Sequence, residues 1–338
     1  MTTPNATPTA PVTTQVINAT GVITLDRPKA LNSLNQEMVT RITDALNAWR
    51  HDNSIEQVII RSSGKHFCAG GDVRAAREGI LDGRADEVDR FFAEEYAMNL
   101  AIARYPKPYI ALVGGVDMGG GLGVSAHGSH MVVAEDAFAS MPEMNIGYIT
   151  DVGMSWRLQN MSAHPSQGLG TFLALTGYRM TPDDMLATGL ATHKVASLDG
   201  LAERIAEEGL GILDEVALAP GESGLARWFE QADRVFVGSW GEIRRRLEES
   251  PELADLKELT DELTAQASPS SLVAAAELMQ ANSARDLSGS LENERVLGAM
   301  VSREPDFAEG VRAVLKDKTN DASFAPEPGT DKYRAVLS

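Results

Sequence analysis

Two carboxylates, Glu143 and Asp151, lie eight residues apart in a stretch, residues 137–155, that is otherwise apolar and weakly charged. A carboxyl among Phe138, Met141, Met144, Ile146 and Ile149 loses hydration. That disfavours its charged form and raises its pKa toward the range useful for proton transfer. Asp151 has a second reading, as the N-cap of a helix opening at Val152-Gly153. Upstream run two glycine-rich loops. In His66-Phe67-Cys68-Ala69-Gly70-Gly71-Asp72, a helix starting at Asp72 would turn free N–H groups and its positive dipole end on the loop. A tight turn with Asp72 as N-cap accounts for the same residues. In Met118-Gly119-Gly120-Gly121-Leu122-Gly123, a strand again leads through glycines into a helix. Each loop can offer one backbone N–H to a shared oxygen, which is the geometry of an oxyanion hole. The G-G-G-x-G spacing misses the GxGxxG dinucleotide fingerprint.

Other reactive side chains carry less. Cys68 lacks the neighbouring base that a nucleophilic thiol requires. The six histidines (51, 66, 127, 130, 164 and 193) form no HExxH pair, and with one cysteine the ligand set is too thin to expect a metal. His66 and His193 read as structural.

The elements that must position these residues alternate. Residues 15–25 hold two apolar runs around Asn18-Ala19-Thr20-Gly21, a hairpin pattern. Residues 35–50 place Met38, Ile42, Ala45, Leu46 and Trp49 on one helical face. Gln57–Arg61 reads as a buried strand and residues 86–104 as a long helix with Val88, Phe92, Tyr96 and Leu100 in register. Tyr109–Val113 is another buried strand, and strands near 131–134 and 137–141 follow. This repeated strand–strand–helix pattern predicts an α/β core over residues 14–197. Residues 198–320 read as a C-terminal helical region. Residues 1–13 and 321–338 read as a flexible N-terminal tail and a loose C-terminal tail.

Composition limits the partners. The chain has 338 residues, 43% hydrophobic and 23% charged, enough apolar material for a large core. Thirty basic against 48 acidic residues, a net charge of −18, argue against nucleic-acid binding. They do not argue against a small polyanion held by local cations and N–H groups. No apolar run is long enough to cross a membrane, and no membrane partner is expected. The N-terminus lacks the pattern of a secretory signal, and the lone Cys68 fits a reducing compartment, taken here as the cytoplasm.

The ordered set Arg27-Pro28-Lys29-Ala30-Leu31-Asn32-Ser33-Leu34, Phe67-Cys68-Ala69-Gly70-Gly71-Asp72, Gly119-Gly120-Gly121 and Met141-Pro142-Glu143 resembles the enoyl-CoA hydratase/isomerase (crotonase) superfamily. The resemblance is closer to its 3-hydroxyisobutyryl-CoA hydrolase branch. Asp151-Val152-Gly153, Phe172–Gly177, Ala191-Thr192-His193, Ser268–Leu272 and Phe307–Lys318 carry it, from about residue 15 to 320. It implies a crotonase-like ββα spiral core with added helices. Hydratases of the family place a glutamate where this chain has Gly123, so the two-carboxylate addition of water lacks one group and thioester cleavage is favoured.

By resemblance, the N–H groups of Gly71 and Gly120 hold the thioester oxygen. Glu143 attacks the carbonyl or serves as base on water. Asp151 binds the 3-hydroxyl or assists the leaving thiolate. Arg27, Lys29, Lys316 and Lys318 are the cations for the CoA phosphates, and Ala30, Ala69, Gly70, Asp72, Gly119 and Gly123 line the substrate path. CoA is part of the substrate, and no separate cofactor is implied. Relatives that form trimers make a homo-oligomer an expectation too. The expected activity is hydrolysis of a 3-hydroxyacyl-CoA, foremost 3-hydroxyisobutyryl-CoA of valine catabolism. The alternatives are an enoyl-CoA hydratase or isomerase and a CoA-binding scaffold without turnover.

Overall fold

The computed structural model describes residues 10–338. Of the expected N-terminal tail, residues 1–9 therefore lie outside the described part, and residues 12 and 13 already belong to a strand. That strand, β1 (Val12–Ile17), pairs antiparallel with β2 (Thr20–Leu25), and Ile17 faces Thr20 across the turn. Asn18 occupies the left-handed region at φ 52°, a conformation asparagine tolerates well. The hairpin is as expected.

The main sheet continues in parallel through β3 (Gln57–Ser62), β4 (Tyr109–Val113), β6 (His130–Ala134) and β8 (His193–Val195). β4 is buried at every position, as a central parallel strand covered on both faces must be. One face meets the principal core. The other is covered by a smaller apolar layer that includes Leu201, Ile205, Ile212 and Leu213.

A second, smaller sheet lies beside the candidate residues. β5 (Val116–Met118) pairs in parallel with β7 (Phe138–Ser140), with Asp117 opposite Ala139. Cys68 adds a third line through a parallel bridge to Asp117. Three successive turns of the spiral thus run side by side. Just beyond their aligned residues lie Gly71, Gly120 and Glu143.

Helices close the turns. α1 (Gln36–Arg50) buries all five residues of its expected stripe, and its N-cap Asn35 accepts from Met38 N. α2 (Val73–Leu81) is capped by Asp72, whose carboxylate accepts from Ala75 N. α3 is Ala85–Ala103 and α4 is Gly120–Ser125. α5 (Met154–Arg157) and α6 (Gln167–Thr176) follow.

The C-terminal helices are not a peripheral layer. Pro269–Asn282 and Leu287–Val301 bury long runs of side chains and pack on α3, α5 and α6. The apolar core is continuous from Val12 to Tyr333. The end of the chain is accordingly not loose as expected. Tyr333 is fully buried and donates to Glu304 at 2.9 Å, and Arg334 pairs with the buried carboxylate of Glu277. A buried aromatic ring and a buried acid that needs a cation fix this segment.

Candidate active site

The first glycine loop is clamped from both sides. Leu31 and Asn32 adopt left-handed conformations, which folds residues 27–34 back on the loop. Ala69 N donates to Leu31 O at 3.0 Å, Leu34 N to Gly70 O at 2.8 Å, and Asp72 N to Leu34 O at 2.8 Å. Arg27 reaches Asp72 at 3.4 Å and donates to Ser33 O at 2.7 Å. Arg27, Ala30, Ala69, Gly70, Gly71 and Asp72 are therefore brought together. Lys29 is exposed on the same turn. Lys316 and Lys318 are exposed as well, and neither makes a side-chain hydrogen bond or salt bridge among the described residues. The chain around them is tied by Arg312 to Glu309, Asp317 and Asp321.

The second loop lies against the first. Gly70 takes φ 109°, and a Cβ there would lie 3.5 Å from Met118 O and 3.9 Å from Gly120 N. A Cβ on Gly120 would lie 3.1 Å from Gly71 N. Gly70 is required by its positive φ, and Gly120 by the close approach of its neighbours. Neither Gly71 N–H nor Gly120 N–H has a hydrogen-bond acceptor among the described residues. Gly120 opens α4, so its N–H is free by position. Two free donors side by side can receive a developing negative oxygen.

Acids surround this spot. Glu143 is 7% exposed, and its Oε1 would lie 2.7 Å from a Cβ placed on Gly119. Its Oε2 is buried without a partner. Burial, and then the neighbouring Asp151, push the Glu143 carboxyl well above its ordinary range. Asp151 accepts from Tyr96 Oη at 2.7 Å. Burial raises its pKa to about 7 against the pull of that hydrogen bond. α5 begins at Met154 with Gly153 as its cap, so Asp151 is not the N-cap that its sequence context also allowed.

Glu95 is not among the residues that the motifs pick out. It lies on α3, 1% exposed, with Oε1 unpartnered and 2.7 Å from where a Gly120 Cβ would be. Burial first and Asp151 second push its pKa up. A signal exists in the sequence: Glu95 and Asn99 interrupt the apolar face of α3 that Phe92 and Tyr96 define. Buried acids this close to one another disfavour each other's charge, so one of them can hold a proton while another gives its proton up.

Gly123 has no room for a side chain. A Cβ there would lie 2.8 Å from Asn99 Nδ2 and 2.8 Å from Val152 Cβ, and Asn99 donates to Gly123 O at 2.9 Å. Asn99 and Val152 fill the space. Cys68 is fully buried with its thiol pushed far up by burial, which makes it inert.

A strand–strand–helix spiral holds paired N–H donors beside buried carboxyls, and comparison with known proteins gives the class to which such a chain belongs. Residues 20–335 match the family model described as Enoyl-CoA hydratase/isomerase, and the chain belongs to that family. The chain is 38% identical over 323 residues to the mitochondrial 3-hydroxyisobutyryl-CoA hydrolase of Xenopus tropicalis, covering 91% of this chain and 82% of that protein. It is 36% identical over 328 residues to the same-named protein of Danio rerio, covering 92% and 84%. Among solved structures, a carnitinyl-CoA dehydratase from Mycobacterium thermoresistibile superposes with a TM-score of 0.87 at 31% identity, covering 98% of this chain and 97% of that one. The cytoplasmic location expected from the single cysteine is not upheld. Both hydrolases carry "mitochondrial" in their names, and one unpaired thiol marks a reducing environment without saying which compartment provides it.

Proposed function

We propose that the protein hydrolyses a 3-hydroxyacyl-CoA thioester, with 3-hydroxyisobutyryl-CoA giving 3-hydroxyisobutyrate and CoA in valine catabolism. The observation that carries this reading is the buried Glu143 beside two unengaged N–H groups, with no space for an acid at Gly123. The thioester oxygen sits between Gly71 N and Gly120 N. As the carbonyl carbon becomes tetrahedral, its charge gathers on that oxygen, and each donor is worth about 3–4 kcal/mol in comparable acyl transfers. Glu143 acts in one of two ways. Its carboxylate adds to the carbonyl to give a mixed anhydride that water then opens, or it removes a proton from water that adds directly. Both routes pass through a tetrahedral oxyanion held by the same two N–H groups and expel CoA as the thiol. Labelled solvent oxygen found in Glu143 after a single turnover marks the anhydride route. Asp151 binds the 3-hydroxyl or protonates the departing thiolate. Arg27 and Lys29, with Lys316 and Lys318, are the cations offered to the CoA phosphates.

A second reading has an observation of its own. Glu95 supplies a further buried acid next to Gly120, and the solved dehydratase shares the fold. Hydration of an enoyl-CoA would then use Glu95 and Glu143 as the acid–base pair. The test is thiol release from (S)-3-hydroxyisobutyryl-CoA, run beside crotonyl-CoA hydration on one preparation. Thiol release that disappears in Glu143→Ala, without hydration, supports the hydrolase. Hydration without thiol release supports the second reading.

A further inference from the structure

Asp151 is followed by a backbone corner that its own residues do not favour. Val152 sits at φ 53° and Gly153 at φ 80°. For a β-branched residue the left-handed region is a marked outlier, and it persists only where surrounding groups hold it. Two buried side chains from distant parts of the chain do so here. His127 Nε2 lies 2.8 Å from Val152 O. His127 Nδ1 is buried without a partner, so the ring is the neutral tautomer with its proton on Nε2, donating to the Val152 carbonyl. From the other side Glu294, fully buried on the helix Leu287–Val301, accepts from Gly153 N at 2.7 Å and Ser155 N at 3.2 Å. It also accepts from Ser155 Oγ. Asn282 donates to Ser155 Oγ at 2.7 Å, and Asn293 donates to Asn282 Oδ1 at 2.8 Å. The last residue of the chain, Ser338, donates from N to Asn293 Oδ1 at 3.0 Å. The corner has no slack: a Cβ on Gly153 would lie 2.8 Å from His127 Nε2 and 2.9 Å from Leu287 Cδ1.

We infer that His127 and Glu294 are positioning residues, which together hold the left-handed Val152–Gly153 corner and thereby aim the Asp151 carboxyl at the reacting thioester. The inference rests on the reading of Asp151 as a working group of the site. A helix from the C-terminal half then acts on the reaction through the backbone, without touching substrate. A misplacement of about 1 Å in such a group can cost on the order of a hundredfold in rate.

The test is a set of mutant cycles on the full chain. Asp151→Asn, Glu294→Ala and His127→Leu are made singly, and each clamp variant is also combined with Asp151→Asn. Thiol release gives kcat and KM, and thermal melting checks folding. The clamp variants should lower kcat about ten- to a hundredfold with KM little changed. In the Asp151→Asn background they should lower it no further, because the group being aimed is gone. His127→Gln, which keeps an N–H donor, should restore most of the rate lost in His127→Leu. Should Glu294→Ala fail to fold, the His127 pair of variants carries the test alone. Losses that add fully to that of Asp151→Asn, or full activity in the clamp variants, overturn the inference. Full activity in Asp151→Asn itself overturns instead the reading of Asp151 on which the inference rests.

Discussion

The glycine loops and the Asp151 corner place their groups by opposite means. In the loops the proposed working atoms are backbone N–H groups, and the chain places them by local rules. Strand register in the small sheet aligns Cys68, Asp117 and Ala139, and a few residues on, glycine lets Gly71 and Gly120 meet at close range. At the corner the proposed working atom belongs to a side chain, and local preference opposes its placement. Val152 would not choose φ 53° unaided, and the groups that impose it, His127 and Glu294, are 25 and 141 residues away in sequence from the atoms they bond. Backbone donors can be specified by a motif. A buried acid aimed from a strained turn requires tertiary structure.

The comparison can be broken from either side. The largest effect falls on Glu143, which both regions serve. Glu143→Ala should reduce thiol release by about 10³-fold or more while the protein still melts cooperatively, judged by steady-state kinetics and calorimetry. Next come the loops. Gly120→Ala puts a methyl 2.7 Å from Glu95 Oε1 and 3.1 Å from Gly71 N, and should lower kcat about a hundredfold by crowding the donor pair. At Gly71 a methyl meets nothing nearer than 4.0 Å, so Gly71→Ala should cost far less. Equal losses at the two positions would sink the claim that close approach is what demands glycine at 120.

Smaller still is the effect of restoring the acid that hydratases carry. Gly123→Glu drives a side chain into Asn99 and Val152, and overpacking of this kind costs about 1–3 kcal/mol. The variant should melt lower and gain no crotonyl-CoA hydration. Hydration appearing in it would mean that the space can open and that Gly123 alone bars the reaction.

The smallest effect concerns pH. Asp117, beneath the second loop, is fully buried with Oδ1 unpartnered, and burial raises its pKa from 3.8 to about 7. The folded state thus binds a proton that the unfolded chain has released. Its contribution to stability is full below about pH 4 and is lost as pH rises toward 7. Asp117→Asn keeps an oxygen for the Ser125 hydroxyl, which lies 2.6 Å away. The melting temperature of that variant should fall less than that of the parent between pH 5 and pH 8. Parallel curves would show that Asp117 titrates normally.

Much of this architecture can be read from the residues. The stripe on α1, the buried strands β3 and β4 and the hairpin β1–β2 are periodic over enough residues to be plain. The two glycine loops and Glu143 are contiguous motifs, and the structure sets them side by side. Glu95 escapes because a single acid within an amphipathic helix looks like any solvated residue until the helix is packed. Asp151 is ambiguous in sequence because a cap and a buried acid share the same neighbours; the start of α5 at Met154 and the hydrogen bond from Tyr96 resolve it. The end of the chain reads as loose because of Pro326, Pro328 and Gly329, yet Tyr333, Arg334 and Ser338 tie it down.

Glu95, Glu143, Asp151 and Glu294 are all buried, all pushed upward in pKa, and none has a salt-bridge partner among the described residues. Such a chamber tolerates a neutral guest and resists a charged one. A thioester group enters uncharged, whereas the acid formed by its hydrolysis carries a full negative charge. Burying that charge away from water is costly, because none of these acids offers it a counter-charge. On the proposed hydrolysis, the reaction converts its own guest into one that the chamber holds poorly. Weak inhibition by the free hydroxy acid is the expected outcome.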